Sequence, residues 1–438
     1  MKSKAIKIGM IGLGTVGTGV YEILKEHSQL LAKRIGIPLE IAKVAVRSKN
    51  KKRVLKVPSS LLTNRVEEIY SDPEIQIVLE LMGNVQESRR IALQAMKRGK
   101  HFVTANKALL ALHSREIFQT AHDNQVDICF EAAVGGGIPI LRALREGFVA
   151  NRIQSLFGIV NGTCNYILTE MADHGADFSA TLKQAQALGY AEANPKFDVG
   201  GIDAAHKLAI LIAIAYGVSV DLKNLYVEGI SDIDPLDIEF GRHFGYEIKL
   251  LAISKQSERG IQARVHPTMV PSASMLAAVR GVHNAIQIDG DSVGEGMLYG
   301  KGAGSRPTAS AVVGDLVEVA RNILAGVAYT VPPLGVVGPK VKEAKIEPMG
   351  LLRSAYYLRF YAIDRPGVLA NIASILSRFG ISISSIYQQV REEGREVPIV
   401  VLTHEAQEKS VLAAIQKINK LSGIKRKTKL IRIEAKLK

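Results

Sequence analysis

Short apolar runs alternate with longer segments whose apolar residues recur every three or four positions. In the first 130 residues the runs at 5–11, 39–46, 75–81, 100–104 and 126–130 predict strands. The intervening segments 15–34 and 87–98 have the helical period. Strands that alternate with helices need crossover connections, which make neighbouring strands parallel. The pattern therefore predicts a doubly wound α/β domain over residues 1–140.

The pattern changes after residue 140. A strand at 155–160 leads into a loop at 161–165, and an apolar helix is predicted over Ile202–Tyr216. Strand-like segments between 247 and 287 are broken by a polar turn at 257–260. This mixture predicts an α+β domain over 141–302, which ends in a glycine-rich loop at 300–304. A strong helix is predicted at 308–324.

The last part of the chain has its own pattern. Four prolines between 331 and 348 indicate a linker, which we place at 331–350. Beyond it the predicted order is strand, helix, strand, strand, helix, strand. These elements fall at 356–363, 367–379, 381–390, 397–402, 407–421 and 427–433. That order is typical of a ferredoxin-like βαββαβ domain, predicted over 351–438.

Composition narrows the class of protein. The chain has 438 residues, 47% hydrophobic and 22% charged, which excludes general disorder. Its two cysteines exclude a disulfide framework and favour a reducing compartment. The sequence shows neither an apolar run of about 18 residues, as a membrane span needs, nor the features of a signal peptide. We therefore predict a cytoplasmic protein with no membrane partner.

The net charge of +14 is concentrated near the end of the chain. Residues 340–438 hold 19 Lys and Arg against 9 Asp and Glu. A basic domain can bind nucleic acid, but it can also be an ordinary solvated surface. Because no helix-turn-helix or aromatic platform accompanies the charge, we favour the second interpretation and expect no nucleic-acid partner.

A glycine motif follows the first predicted strand. Gly12, Gly14 and Gly17 have the G-x-G-x-x-G spacing at the start of a helix. Such glycines permit a tight turn and let a pyrophosphate approach the helix N-terminus. The motif predicts a dinucleotide site, the alternative being a glycine turn that only packs the helix on the sheet.

Basic residues follow the second predicted strand. Arg47 is followed by Lys49 and by Lys51, Lys52 and Arg53. An NAD site usually has an acidic residue there, whereas an arginine suits the 2′-phosphate of NADP. The sequence therefore favours NADP(H), with a solvated basic loop as the alternative.

Two lysines and two carboxylates are candidates for the chemistry. Lys107 follows a predicted strand, at the edge where such sheets bind ligands. Asp203 and Lys207 are four residues apart and share one face of an otherwise apolar helix. Glu192 and Asp198 lie just upstream. With carboxylates beside a lysine, the site can bind both an ammonium group and a reacting oxygen of a substrate. The alternative is an ordinary surface ion pair.

The glycine-rich segment 131–138 offers one carboxylate and several carbonyl oxygens. Such a set suits a hard cation, although a simple glycine turn after a strand explains it equally well. Cys164 has no evident histidine and aspartate partners in sequence, which favours a structural role.

Together these motifs resemble one family, homoserine dehydrogenase. The resemblance extends over about residues 5–330, in segments 12–17, 103–108, 131–139, 158–167, 189–207 and 299–308. Segment 364–371, Asp-Arg-Pro-Gly-Val-Leu-Ala-Asn, looks like part of an ACT domain, a regulatory module that binds small amino acids.

The resemblance implies NAD(P)H-dependent reduction of L-aspartate 4-semialdehyde to L-homoserine, on the route to threonine, isoleucine and methionine. It implies that Lys207 donates the proton, that Glu192 and Asp203 hold the substrate, and that Lys107 contacts cofactor and substrate. It further implies a Rossmann domain completed by about 303–330, a homodimer or dimer of dimers, and threonine as effector. The remaining implied positions are Thr15, Val16, Gly189 and Gly302 for the cofactor, and Glu131, Val134, Gly136 and Ile138 for sodium.

Other functions stay open at this point. Another ACT-bearing semialdehyde dehydrogenase shares the dinucleotide loop and would act through a cysteine. A non-catalytic amino-acid sensor would bind an effector and turn over nothing.

Overall fold

The computed structural model describes residues 5–50, 55–338, 341–388 and 394–437. Lys51, Lys52 and Arg53, and the end of the strand predicted at 381–390, lie outside these ranges. No helix in the described part of the chain is long and apolar enough to cross a membrane.

The strands and helices are numbered along the chain. The strands are β1 Ile6–Ile11, β2 Leu39–Ala45, β3 Leu62–Thr63, β4 Ile75–Glu80, β5 His101–Thr104, β6 Ile128–Cys129, β7 Ile153–Ile159, β8 Val218–Ser219, β9 Tyr226–Val227, β10 Tyr246–Ser257, β11 Gly260–Pro271, β12 His283–Gly290, β13 Gly294–Lys301, β14 Lys342–Glu343, β15 Arg353–Ile363, β16 Ile383–Tyr387, β17 Glu396–Thr403, β18 Ala406–Gln407 and β19 Lys429–Ile433. The helices are α1 Thr15–Glu26, α2 Ser28–Ile35, α3 Glu67–Tyr70, α4 Val85–Met96, α5 Lys107–Asp123, α6 Ile140–Arg142, α7 Gly162–His174, α8 Phe178–Ala187, α9 Lys196–Val199, α10 Ile202–Tyr216, α11 Pro235–His243, α12 Ser305–Ala325, α13 Val368–Arg378 and α14 Glu408–Ile418.

The chain forms two compact units. The first contains residues 1–154, 206–223 and 283–344, and the second contains 155–205, 224–282 and 345–438. Helix α10 begins in the second unit and continues in the first.

The first unit contains a parallel sheet in the order β3-β2-β1-β4-β5-β6. This is the strand order of a Rossmann fold, so the predicted fold class is confirmed. Helix α12 completes the core, because Val312 and Leu316 are buried with Met10 and Val20. Helices α1 and α12 pack so closely that a Cβ at Gly19 would lie 2.8 Å from the main-chain oxygen of Ser305.

The second unit contains a mixed sheet, in which β7, β10, β11, β19, β15, β17 and β16 follow one another. Strands β10 and β11 form a long hairpin, paired from Tyr246↔Pro271 to Ser257↔Gly260. Strand β19 is parallel to β11 and antiparallel to β15. The C-terminal βαββαβ domain therefore extends the sheet of the α+β domain and confirms the predicted fold class.

The C-terminal domain buries both faces of its sheet. Helices α13 and α14 cover one face, where Leu358, Phe360 and Ile372 are fully buried. On α11, the buried carboxylate of Asp237 accepts hydrogen bonds from Arg359 Nε (2.6 Å) and from the Tyr357 hydroxyl (3.0 Å). The C-terminal domain, or tail, is therefore attached to the rest of the second unit by buried ionic contacts as well as by a strand pair.

Candidate active site

The glycine loop has the backbone that a dinucleotide site requires. Gly12 has φ +104°, and a Cβ there would lie 2.7 Å from Leu81 O. A Cβ at Gly17 would lie 2.3 Å from Gly12 O, so both positions need glycine. Gly14 precedes α1, and a Cβ there would meet nothing within 4 Å. The first turn of α1 has no side-chain cap, so its N–H groups suit a phosphate.

Arg47 lies beside this loop. The Gly12 N–H donates to Ala45 O over 3.0 Å, which joins the loop to the end of β2. Arg47 follows two residues later and is exposed. Its guanidinium is therefore available at the carboxyl edge of the sheet, where the ribose of a dinucleotide binds.

Lys107 is the first residue of α5 and is held by a polar network at the ends of β4 and β5. The Asn106 side chain caps α5 by accepting from Leu109 N–H over 3.1 Å. Thr104 Oγ1 donates to Glu80 Oε2 over 2.7 Å, and burial raises the pKa of the Glu80 carboxyl. Because both partners are buried, the network fixes the start of α5, and Lys107 is half-buried there.

Gly302 lies in a narrow gap in the first unit. A Cβ at Gly136 would lie 2.4 Å from Gly302 O, and a Cβ at Gly302 would lie 2.1 Å from the Asn284 side chain. Ser305 Oγ, three residues further on, donates to Thr15 O over 2.7 Å. The structure thus brings together the loops that contain Thr15, Gly302 and Gly136.

The segment 131–138 turns back on itself. Gly135 and Gly136 have φ of +73° and +55°. Both oxygens of the Glu131 carboxylate accept main-chain N–H groups, from Leu141 (2.9 Å) and Arg142 (2.8 Å). Burial raises the pKa of Glu131, although these hydrogen bonds oppose the shift. The carboxylate is thus used to cap α6.

A second cluster lies close to this segment. The ligand atoms of Cys129, Asp315 and Glu318 are all within 4.8 Å of one another. However, Glu318 forms ion pairs with Arg142 and Arg145, the latter at 3.5 Å. The two guanidinium groups supply the positive charge that a metal would otherwise bring, so we interpret the cluster as a buried ionic network.

Helix α10 carries Asp203 and Lys207, one turn apart. Asp203 is buried, with 3% of its surface exposed, and Lys207 is half-buried. Ala204, Ala205 and Leu208 beside them are buried. An exposed surface ion pair is therefore the wrong description of these two residues.

In the second unit Asn161 joins two of the carboxylates. Its Nδ2 donates to Asp198 Oδ1 (2.9 Å) and to Asp203 Oδ2 (2.8 Å), while its Oδ1 caps α7 by accepting from Cys164 N–H (2.8 Å). The Cys164 thiol is fully buried and donates to Asp198 O over 3.3 Å. Both contacts support a structural role for this cysteine.

Gly189 and Glu192 lie in the loop after α8. Gly189 has φ +74° and open space around it, so conformation is what favours glycine there. Thr163 Oγ1 donates to Tyr190 O over 2.6 Å, which ties this loop to α7. Glu192 is exposed.

Sequence reasoning missed Asn161 and Thr163. An asparagine between a strand and a helix is a helix-cap signal, but it does not show that the side chain also reaches two carboxylates far along the chain.

Comparison with known proteins supports the same interpretation along the whole chain. Residues 12–131 match the model of the homoserine dehydrogenase NAD-binding domain, residues 139–317 that of homoserine dehydrogenase, and residues 356–421 that of the ACT domain. The chain is 44% identical to a homoserine dehydrogenase of Pseudomonas aeruginosa over 432 residues, covering 98% of this chain and 99% of that protein.

Solved structures indicate the same family as the sequence comparisons. A homoserine dehydrogenase from Thiobacillus denitrificans superposes with a TM-score of 0.93 at 47% identity and covers 99% of both chains. A hyperthermophilic archaeal homoserine dehydrogenase, described in complex with NADPH, has a TM-score of 0.61 at 26% identity. It covers 72% of this chain and 97% of its own.

Proposed function

Since the chain belongs to the homoserine dehydrogenase family, we propose that it interconverts L-aspartate 4-semialdehyde and L-homoserine, with NADP(H) preferred over NAD(H). The protein is an NAD(P)-dependent oxidoreductase that acts on a CH–OH group. One observation carries the proposal: the chain contains both the glycine loop of a dinucleotide site and a hydrogen-bonded cluster of Asn161, Asp198 and Asp203. This cluster includes the first turn of the helix that carries Lys207.

The first unit fits a dinucleotide. Gly12, Gly14 and Gly17 allow close approach, and the uncapped start of α1, with Thr15 and Val16, receives the pyrophosphate. We assign the 2′-phosphate to Arg47 and the lining of the site to Gly189, Gly302 and Lys107. NADP(H) preference is supported by the exposed guanidinium of Arg47 and by the similar archaeal enzyme described with NADPH. When bound, the nicotinamide supplies or accepts the hydride.

The chain's own residues supply charge and a proton. As the aldehyde oxygen becomes an alkoxide, an ammonium group stabilises it and protonates it, and we assign this role to Lys207. Asp203 and Glu192 suit the substrate ammonium, and Lys107 suits its carboxylate. Asn161 holds the Asp203 side chain, so the carboxylate is oriented before the substrate arrives.

A sodium ion fits the segment 131–138. The main-chain carbonyls of Glu131, Val134, Gly136 and Ile138 are hard oxygen donors, the type that such a cation prefers. Within the described residues, neither polar atom of the buried Asn284 amide has a hydrogen-bond partner, and this amide lies against Gly302, beside Gly136. An unsatisfied buried amide next to the segment supports a ligand there.

Regulation and assembly complete the proposal. The ACT domain supports binding of a small amino acid, and we propose threonine as the effector. We also propose that the enzyme is a homodimer or a dimer of dimers, built through its middle domain.

The test is a nicotinamide absorbance assay with L-homoserine and each oxidised coenzyme. We expect reduction of both coenzymes, faster with NADP at low coenzyme concentration. The matched control is Lys207→Ala, whose turnover should be lost. Failure of the wild-type chain to reduce either coenzyme, with amino-acid binding retained, would support the non-catalytic sensor. Loss of activity on blocking a thiol would support a cysteine-dependent semialdehyde dehydrogenase.

A further inference from the structure

A buried arginine joins the C-terminal domain to the α+β domain inside the second unit. Arg432 on β19 is 3% exposed. Its Nε and Nη2 donate to the two carboxylate oxygens of Glu408, the first residue of α14, over 3.1 and 2.5 Å. Its Nη1 donates to Glu228 Oε2 over 2.8 Å, and its Nη2 donates to the Tyr226 hydroxyl over 3.0 Å.

Glu228 is also anchored to the α+β domain. The Tyr226 hydroxyl donates to Glu228 Oε2 over 2.8 Å, and the Glu228 N–H donates to Val265 O over 2.8 Å. Tyr226 lies on β9, which is parallel to β11, and the guanidinium of Arg432 lies 4.8 Å from the centre of its ring. One guanidinium thus holds together α14, β9 and the residue that follows β9.

The segment after Glu228 packs against the turn that carries the acidic residues. The Ile230 N–H donates to Val199 O over 2.9 Å. A Cβ at Gly229 would lie 2.2 Å from Val199 O, so the two backbones are in direct contact. Val199 lies between Asp198 and Asp203, the two carboxylates that Asn161 joins.

We propose that Glu228 and Arg432 are positioning residues that hold the turn carrying Asp198 and Asp203, and thereby make substrate affinity depend on how the C-terminal domain is docked. The inference rests on the proposed function, in which Asp203 binds the substrate ammonium. Loss of the Glu228 contact leaves the 228–230 segment free to shift, and Val199 and the two carboxylates shift with it. Neither residue is among those assigned to the substrate, and Lys207 lies one turn beyond Asp203 on α10, so we expect the effect to fall mainly on KM for L-homoserine.

The experiment measures KM and kcat of the full chain at saturating coenzyme and without effector. Glu228→Ala should raise KM for L-homoserine by about fivefold or more, the lower end of measured coupling between sites. The value of kcat should stay within about twofold, a change below that of a lost catalytic group. The affinity for NADPH, followed by its fluorescence, should not change. Glu228→Gln still accepts hydrogen bonds and should restore most of the substrate affinity.

The matched control is Asp237→Asn. It weakens the other buried ionic contact between the same two domains, the one with Arg359, and leaves the contact of Arg432 with Glu228 in place. We expect a lower melting temperature and an unchanged KM. An equal rise of KM in Asp237→Asn would mean that any loosening of the tail has this effect, and would overturn the specific role of Glu228 and Arg432.

Two further variants keep the outcomes distinct. Asp203→Asn tests the proposed function by itself: if it leaves KM unchanged, the substrate site is wrongly assigned. If Asp203→Asn raises KM and Glu228→Ala does not, only the positioning role fails. Should Glu228→Ala not fold, Arg432→Lys keeps the positive charge but loses the guanidinium that reaches Glu408 and Glu228 together, and a KM equal to that of the wild type would then overturn the proposal.

Discussion

Asp127, which precedes β6, lies where its charge is unfavourable. It is 2% exposed, and burial raises the pKa of its carboxyl from 3.8 to about 7, an effect that the hydrogen bond from Asn322 Nδ2 (2.9 Å) only partly opposes. The Asp127 N–H donates to His101 Nδ1, and burial lowers the pKa of His101 to about 4. The neighbouring imidazole therefore stays neutral between pH 5 and 8 and gives the carboxylate no charge partner.

The sign of the effect follows from proton binding. Between pH 3.8 and 7 the folded state keeps a proton on Asp127 that the unfolded state has lost, so stability falls as the pH rises. The shift of about three pKa units lowers the free energy of unfolding by about 4 kcal/mol above pH 7, and roughly 1.5 kcal/mol of this decrease is already present at pH 5. Asp127→Asn removes the ionisation and keeps an oxygen that accepts from Asn322. We expect the variant to gain about 2.5 kcal/mol more at pH 8 than at pH 5.

Differential scanning calorimetry at the two pH values measures this gain. An increment of about 2.5 kcal/mol corresponds to a rise in melting temperature of roughly 5–10 °C for a domain of this size. The matched control, Asp123→Asn, changes a carboxylate whose side chain is 58% exposed and should shift neither value. An Asp127→Asn variant with the same melting-temperature shift at pH 5 and pH 8, or one that is destabilised at pH 8, would refute the assigned pKa.

Three predictions concern function and assembly. Lys207→Ala should lower kcat by two or more orders of magnitude, as for a lost general acid, while coenzyme affinity measured by fluorescence stays the same; near-normal turnover would remove Lys207 from the mechanism. Arg47→Ala should raise KM for NADP more than KM for NAD, because only NADP has the 2′-phosphate, and equal losses would show that Arg47 does not discriminate. Deletion of residues 349–438 should abolish any response of activity to threonine. It should also lower the melting temperature of the remaining chain, because it exposes β11 and leaves Asp237 without Arg359. An unchanged melting temperature would mean that the C-terminal domain does not stabilise the rest of the chain.

Some features of this protein could be predicted from local pattern alone. The helix Ile202–Tyr216 has the predicted bounds because its largely apolar segment ends at a glycine, and Gly217 has φ +65°. The helix predicted over 15–34 was wrong in one respect: the structure divides it into α1 and α2 at His27, whose ψ of 18° is not helical. The apolar period continues on both sides of His27, so periodicity does not reveal the break.

The candidate site also combines features that local pattern predicts with contacts that it does not predict. Gly12 and Gly17 were identified correctly as residues of a tight strand-to-helix loop because spacing and local conformation dictate their residue type. The use of the Glu131 carboxylate as a cap for α6, and the contact of Asn161 with both Asp198 and Asp203, were not predicted. Each of these contacts depends on the direction of a side chain toward a residue that is distant in sequence or on another element.

Local patterns in the sequence were enough to predict the main strands and helices of the first and last domains, the glycine loop and the three fold types, because periodicity, glycine conformation and capping act over a few residues. The pairing of β19 with β11, and the link that Arg432 makes between α14 and Glu228, are seen only in the three-dimensional packing. Strand pairing and buried ion pairs between distant segments depend on how whole elements pack, since a buried charge is tolerated only where the fold brings a partner to it. No local pattern in the sequence encodes that partner.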